Sequence, residues 1–231
     1  MRLIDHLKWP AASVFSIKMT KKVLKEVQPD VNQDLLDKIE KMIWTGSLKP
    51  QHLQIPAFIN EEFCYDEVVS VEVELREKAA ADRVARLLQK AIPYPLVLGF
   101  IYKEEFCFQL AEKTIHQQQK DKRKLNQDKF YFSEWMDAEK LSEQQKTYLT
   151  NLFLDKVGGT HLKEYFDKLM HHIHDENRQD QLALLALEKK AITIKNEYAR
   201  ERNAAKKAEL HHQARALAEQ IKALKSRLKD N

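Results

Sequence analysis

The chain has 231 residues, 43% hydrophobic and 32% charged, which is enough apolar material for one ordinary core and too little for two. Its 39 Lys and Arg against 35 Asp and Glu leave +4, too balanced for a dedicated nucleic-acid binder, although a local basic patch is compatible with it. No run of eighteen apolar residues and no leader-like start are present, so a cytoplasmic chain without a membrane span is expected.

In chain order, residues 1–10 read as a short arm, and residues 13–19 (SVFSIKM) alternate as a strand does. Thr20 can cap a basic helix through Lys21, Lys22 and Lys25 that Pro29 ends. Asp30 can cap a second helix over 31–44, with Leu35, Leu36, Ile39, Ile43 and Trp44 on one face and Gly46 terminating it. Pro50 and Pro56 bracket an extended or looped stretch.

Residues 68–75 (VVSVEVEL) alternate, which puts Val71, Val73 and Leu75 on a core face and Ser70, Glu72 and Glu74 in solvent. Residues 79–91 form an amphipathic helix with Val84, Leu87 and Leu88 inward, stopped at Ile92-Pro93. The nearly continuous apolar run PLVLGFIY fits a central strand covered on both faces. KEE then predicts a hairpin into FCFQLAEK, and residues 129–136 (KFYFSEWM) a further strand. Ser142 opens another helix, Gly158-Gly159 breaks it, and 161–174 completes the helical set. This order gives an α+β domain over residues 1–178, with a mixed or antiparallel sheet and a helical layer. Cys64 and Cys107, flanked by aromatics, read as reduced core filling.

Residues 180–231 contain no Gly or Pro and repeat apolar residues at spacings of three and four, a coiled-coil pattern. Leu184, Leu187, Ala191, Ile194 and Tyr198 form one seam, and Leu210, Ala214, Leu217, Ile221, Leu224 and Leu228 a second. The second seam is the expected partner interface, with self-association through the arm as an alternative. The phase slips between the seams, which favours a hairpin near Arg202-Asn203 or a pair of helices meeting a partner's, while the absence of Gly and Pro there favours one continuous helix with a stutter.

The words DLLDKIEKMIWTGSLKPQHLQI, VEVELREK, LLQKAIPYPLVLGFIYKEE and FYFSEWM, in that order and ahead of a charged helix, resemble the bacterial family catalogued as domain of unknown function 4391. The resemblance covers most of the chain. It implies an accessory role beside helicase and DNA methyltransferase subunits in restriction-modification or phage-defence systems, and it supplies neither catalytic residues nor a cofactor. Where that family often shows an acidic-x-Lys word, this chain has Glu74-Leu75-Arg76.

The alternative enzymatic reading is a metal-dependent nuclease subunit. Such an enzyme needs acidic groups to hold a divalent cation and a lysine near the attacking water, for which Asp66, Glu72, Glu74 and Lys78 are the candidates. Arg76 cannot replace the lysine as a base, because its guanidinium stays protonated. His171, His172, His174 and Asp175 have helical metal-ligand spacing but lack a distant fourth partner, so no metal is expected there. With four glycines in the chain, neither a phosphate-binding loop nor a dinucleotide fingerprint can be written. A third reading is nucleic-acid binding by KDKRKLNQDKFYF, in which Lys120, Lys122, Arg123, Lys124 and Lys129 would meet phosphates and Tyr131 would stack on a base.

Overall fold

The computed structural model describes residues 2–116, 123–174, 176–201 and 203–230. The chain forms two compact units, Met1–His174 and Asp175–Asn231.

In the first unit, two 3-10 turns (Leu3–His6 and Ala11–Ser13) precede strand β1 (Val14–Met19), helix α1 (Lys21–Val27), helix α2 (Gln33–Asp37) and strand β2 (Ile39–Leu48). After a single turn α3 (Pro50–Leu53) come the short strands β3 (Phe58–Ile59) and β4 (Cys64–Tyr65), paired with each other. The chain continues through β5 (Val68–Leu75), α4 (Ala81–Ala91), β6 (Leu96–Tyr102), β7 (Glu105–Ile115), β8 (Arg123–Phe132) and β9 (Met136–Asp137). Three helices close the unit: α5 (Glu143–Asn151), α6 (Leu154–Val157) and α7 (Leu162–Ile173).

The main sheet runs β1-β2-β5-β6-β7-β8, with β9 beside β7. Only β5 and β6 pair in parallel, and α4 makes the crossover between them. The expected α+β class with a mixed sheet is therefore observed. Helical material covers both faces of the sheet. One face packs Val69, Val71, Val73 and Leu75 against Leu24 of α1, Leu36 of α2 and Val84, Ala85 and Leu88 of α4. The other packs Val68, Val97, Phe106, Phe108 and Leu110 against α5, α7 and the N-terminal residues Leu3, Ile4, Leu7 and Trp9.

Several expectations need correction. The expected N-terminal arm is instead packed on the sheet, with Leu3, Ile4, Leu7 and Trp9 buried in the core. Residues 31–44 are not one helix: α2 is one short turn, and Ile39 onward is strand β2. The cause is two register shifts in the β2–β5 ladder, between Ile39 and Lys41 and between Trp44 and Gly46. A bulge inserts an extra residue into the alternation, so Ile39 and Met42, three apart, are both buried, a spacing that imitates a helix. Gly46 does not end a helix either. A Cβ there would lie 2.5 Å from Ile4 Cδ1 and 3.0 Å from the Ser13 carbonyl oxygen, so the N-terminal segment can cross β2 only at a glycine.

The expected half-exposed β5 is also corrected, because Ser70 and Glu72 are buried together with their apolar neighbours. The strand expected at 129–136 instead starts at Arg123 and ends at Phe132, and Met136 belongs to the separate short β9. Ser142 does cap α5, in a reciprocal pair with Gln145.

The second unit is a pair of helices, α8 (Glu176–Arg200) and α9 (Ala204–Asp230). The Lys225–Glu188 ion pair at 2.7 Å joins late α9 to early α8, while Tyr198 and His211 approach near the connection. The helices therefore run antiparallel as a hairpin, which satisfies the phase slip between the two seams.

Candidate functional site

β5 places the nuclease candidates in three different settings. Asp66 is an exposed residue ahead of the strand, and its Oδ1 accepts the amide hydrogen of Glu67. Glu74 is exposed in the ladder opposite Lys41. Glu72 is only 6% exposed. Its Oε1 accepts the amide hydrogens of Leu3 at 2.6 Å and Ile4 at 3.2 Å, the otherwise unpaired donors at the start of a 3-10 turn. Burial raises its pKa, and the Ile4 and Leu3 amides oppose that rise.

Lys78 turns away from these carboxylates. Its Nζ donates to both carboxylate oxygens of Glu105 at 2.7 Å and lies 4.8 Å from the Trp135 ring centroid. Arg76 pairs with Glu40 at 2.6 Å. Among the described residues no three His, Cys, Asp or Glu side chains gather as a cation site. The arrangement around β5 can anchor the N-terminus; it does not assemble the two-carboxylate and lysine geometry that metal-assisted hydrolysis requires.

The nucleic-acid candidates are dispersed in a similar way. Lys120 and Lys122 lie outside the described residues. Arg123 is half-buried in β8, and Lys124 is exposed. Lys129 donates to Glu112, which also accepts from Asn126. The Glu112 hydrogen bond is the chief reason the Lys129 pKa is raised. The Tyr131 ring stacks on His174 at 3.7 Å with an 18° interplanar angle. That histidine is thereby used in packing, and His171 and His172 lie side by side on α7 with ring centroids 6.4 Å apart.

Polar groups that the sequence reading passed over are more deeply placed. Lys113 is buried in β7, and its Nζ donates to the carbonyl oxygens of Ile92 and Tyr94 at 2.7 Å each. Burial pushes its pKa well below the usual lysine range, and Arg123 adds to the effect. Gln89 of α4 donates to Gln109 of β7 and to the Leu96 carbonyl oxygen. Both groups fasten the crossover helix to the sheet. The available signal was charged and amide residues inside an apolar strand word, FCFQLAEK, since such residues are retained in a core only with partners.

In the second unit, Leu210 and Leu217 are buried with Ile194, and Leu187, Ala191 and Ala214 pack around them. The two seams thus meet each other. Leu210, Ala214 and Leu217 pack on Leu187, Ala191 and Ile194 of α8 in the same chain. Ile221 is half-buried, and the side chains of Leu224 and Leu228 lie outside the described residues.

The sequence profile of a domain of unknown function, DUF4391, matches residues 7–221, which span both units. The chain belongs to this family. No curated protein and no solved structure matches it. The DUF4391 match runs from Leu7, buried in the N-terminal layer, to Ile221 in α9, so the helical hairpin is part of what defines the DUF4391 chain rather than an addition to it. Among the described residues no helix is long and apolar enough to cross a membrane.

Proposed function

We propose that the chain is a non-catalytic accessory subunit of a bacterial helicase- and methyltransferase-containing restriction-modification or antiphage complex, with the helical hairpin as its docking arm. The observation that carries this reading is the hairpin as a separate unit. The two helices, of 25 and 27 residues, meet each other along the stripe that holds Ile194, Leu210 and Leu217, and a helix buries only one such stripe against a single neighbour. Ile192 is 60% exposed on α8.

Charge points the same way. Residues 175–231 hold 13 Lys and Arg against nine Asp and Glu, whereas residues 1–174 hold 26 of each. The whole +4 of the chain therefore belongs to the arm, and a partner surface of acidic character would be drawn to it. The partner classes come from the family resemblance, and the hydrogen bonds of Glu72 to the Leu3 and Ile4 amides support a structural role for that carboxylate.

The test is co-expression with helicase and methyltransferase subunits from the genome that encodes the chain, read by size-exclusion chromatography with light scattering. Co-elution is expected, weakened at least tenfold by Ile192→Asp with arm helicity unchanged. Failure of the wild-type chain to co-elute with either would overturn the reading.

A further inference from the structure

The edge of the sheet at β1 offers a second surface, independent of the arm. Among the described residues β1 pairs only with β2, so its outer edge is an open ladder, the arrangement that recruits an added strand. Five large apolar side chains of the first unit stand exposed among the described residues: Ile17, Val23, Val27, Ile59 and Tyr94. Three of them belong to the β1–α1 unit, with exposures of 55% for Ile17, 43% for Val23 and 54% for Val27.

Their placement follows from local geometry. Ile17 shares a face with Met19, two residues on, and Met19 packs on the cluster that holds Leu24 of α1. Val23 and Val27 are one helical turn apart on α1, while Leu24 is buried. Ile17 on the strand and Val23 and Val27 on the helix are thus exposed apolar groups of one strand–helix segment.

The same segment is basic, with Lys18 on the face of β1 opposite Ile17 and the other lysines on α1. Lys18, Lys22 and Lys25 are exposed and Lys21 is half-buried, against the single acid Glu26, which reaches Lys22 at 3.9 Å. Residues 14–27 therefore carry +3 on a unit whose total is zero. A second copy of the chain would set lysines against lysines, which disfavours pairing of two such edges.

We infer that the β1 edge captures an extended, acidic and apolar peptide segment of a partner protein, which adds a strand beside β1. Backbone hydrogen bonds would supply register, Ile17 would take apolar side chains on its face of the added strand, and Lys18, on the opposite face, would select the carboxylates that alternate with them, with the α1 lysines adding to the positive field.

The probe is a synthetic seven-residue peptide alternating Glu and Val, compared with its Lys–Val counterpart, titrated into the full chain and followed by amide NMR. The acidic peptide should bind at least tenfold more tightly than the basic one, shifting and protecting the amides of β1. Lys18→Glu with Lys25→Glu, both exposed positions, should remove most of that preference without altering the thermal melt. If the pair does alter the melt, Lys18→Gln with Lys25→Gln is to give the same direction. Absence of binding, equal binding of the two peptides, shifts confined to other elements, or self-association through β1 that the acidic peptide does not compete would each overturn the inference.

Discussion

Glu72, in the middle of β5, and Leu3, 69 residues earlier, are joined by a 2.6 Å hydrogen bond from the Leu3 amide to the Glu72 carboxylate. A residue that reads as solvent-facing in the strand alternation is the acceptor that holds the N-terminal segment on the sheet.

Replacing Glu72 separates charge from hydrogen bonding. Glu72→Leu leaves two buried amides without an acceptor and should cost about 2–5 kcal/mol, whereas Glu72→Gln keeps an acceptor and should be at least as stable as wild type at pH 7. Burial raises the Glu72 pKa, so the fold binds this proton more tightly than the unfolded chain does. Its contribution is most favourable below the ordinary value of 4.5 and is lost as pH rises through the folded value. Urea unfolding from pH 4 to pH 8 should therefore show the advantage of Glu72→Gln growing with pH, and a constant gap would refute the assignment.

Gly46→Ala tests the crossing of β2 by the N-terminal segment. The added methyl meets Ile4 Cδ1 and, less yieldingly, the Ser13 carbonyl oxygen, so a loss of about 1–3 kcal/mol is expected. Hydrogen exchange should locate the disturbance at the amides of Leu3 and Ile4 rather than at β8.

Leu217→Asp places a carboxylate in the hairpin core beside Ile194 and Leu210. Unpaired burial of that charge is unfavourable enough to open the hairpin. Far-UV circular dichroism should lose much of the arm's helical signal while the melting transition of residues 1–174 stays in place; a single shifted transition for the whole chain would contradict two separate units.

Tyr131→Ala should act on stability and leave nucleic-acid affinity alone. Its ring is stacked on His174, so truncation removes about 1–3 kcal/mol of packing. A selective loss of affinity for an oligothymidylate, measured by fluorescence anisotropy with the melt unchanged, would instead restore the base-stacking role.

What the sequence made legible follows periodicity. The helix at 81–91 and the strand at 96–102 stand where their patterns place them, because each pattern is uninterrupted and each segment is covered as the pattern implies. The strand at 39–48 was hidden by its bulges, which convert a period of two into local spacings of three. Burial of Glu72 was hidden for a different reason: the group that covers it lies 69 residues away, and no local window contains both. The arm's two seams showed a hairpin through their phase slip, but nothing in either seam says whether it faces its sister helix or a foreign one.

Trp9 Nε1 donates to Tyr165 Oη at 2.8 Å across 156 residues, and the Leu154 amide donates to the Leu7 carbonyl oxygen. On a ribosome adding about 5–20 residues per second, Trp9 emerges roughly 8–30 s before its partner is made. During that interval Leu3, Ile4, Leu7 and Trp9 have no helix to lie against, and the nascent sheet has one bare apolar face. Synthesis therefore carries an exposure to aggregation that the finished core does not. Slowing translation between residues 10 and 154 should lower soluble yield more than slowing it within the arm.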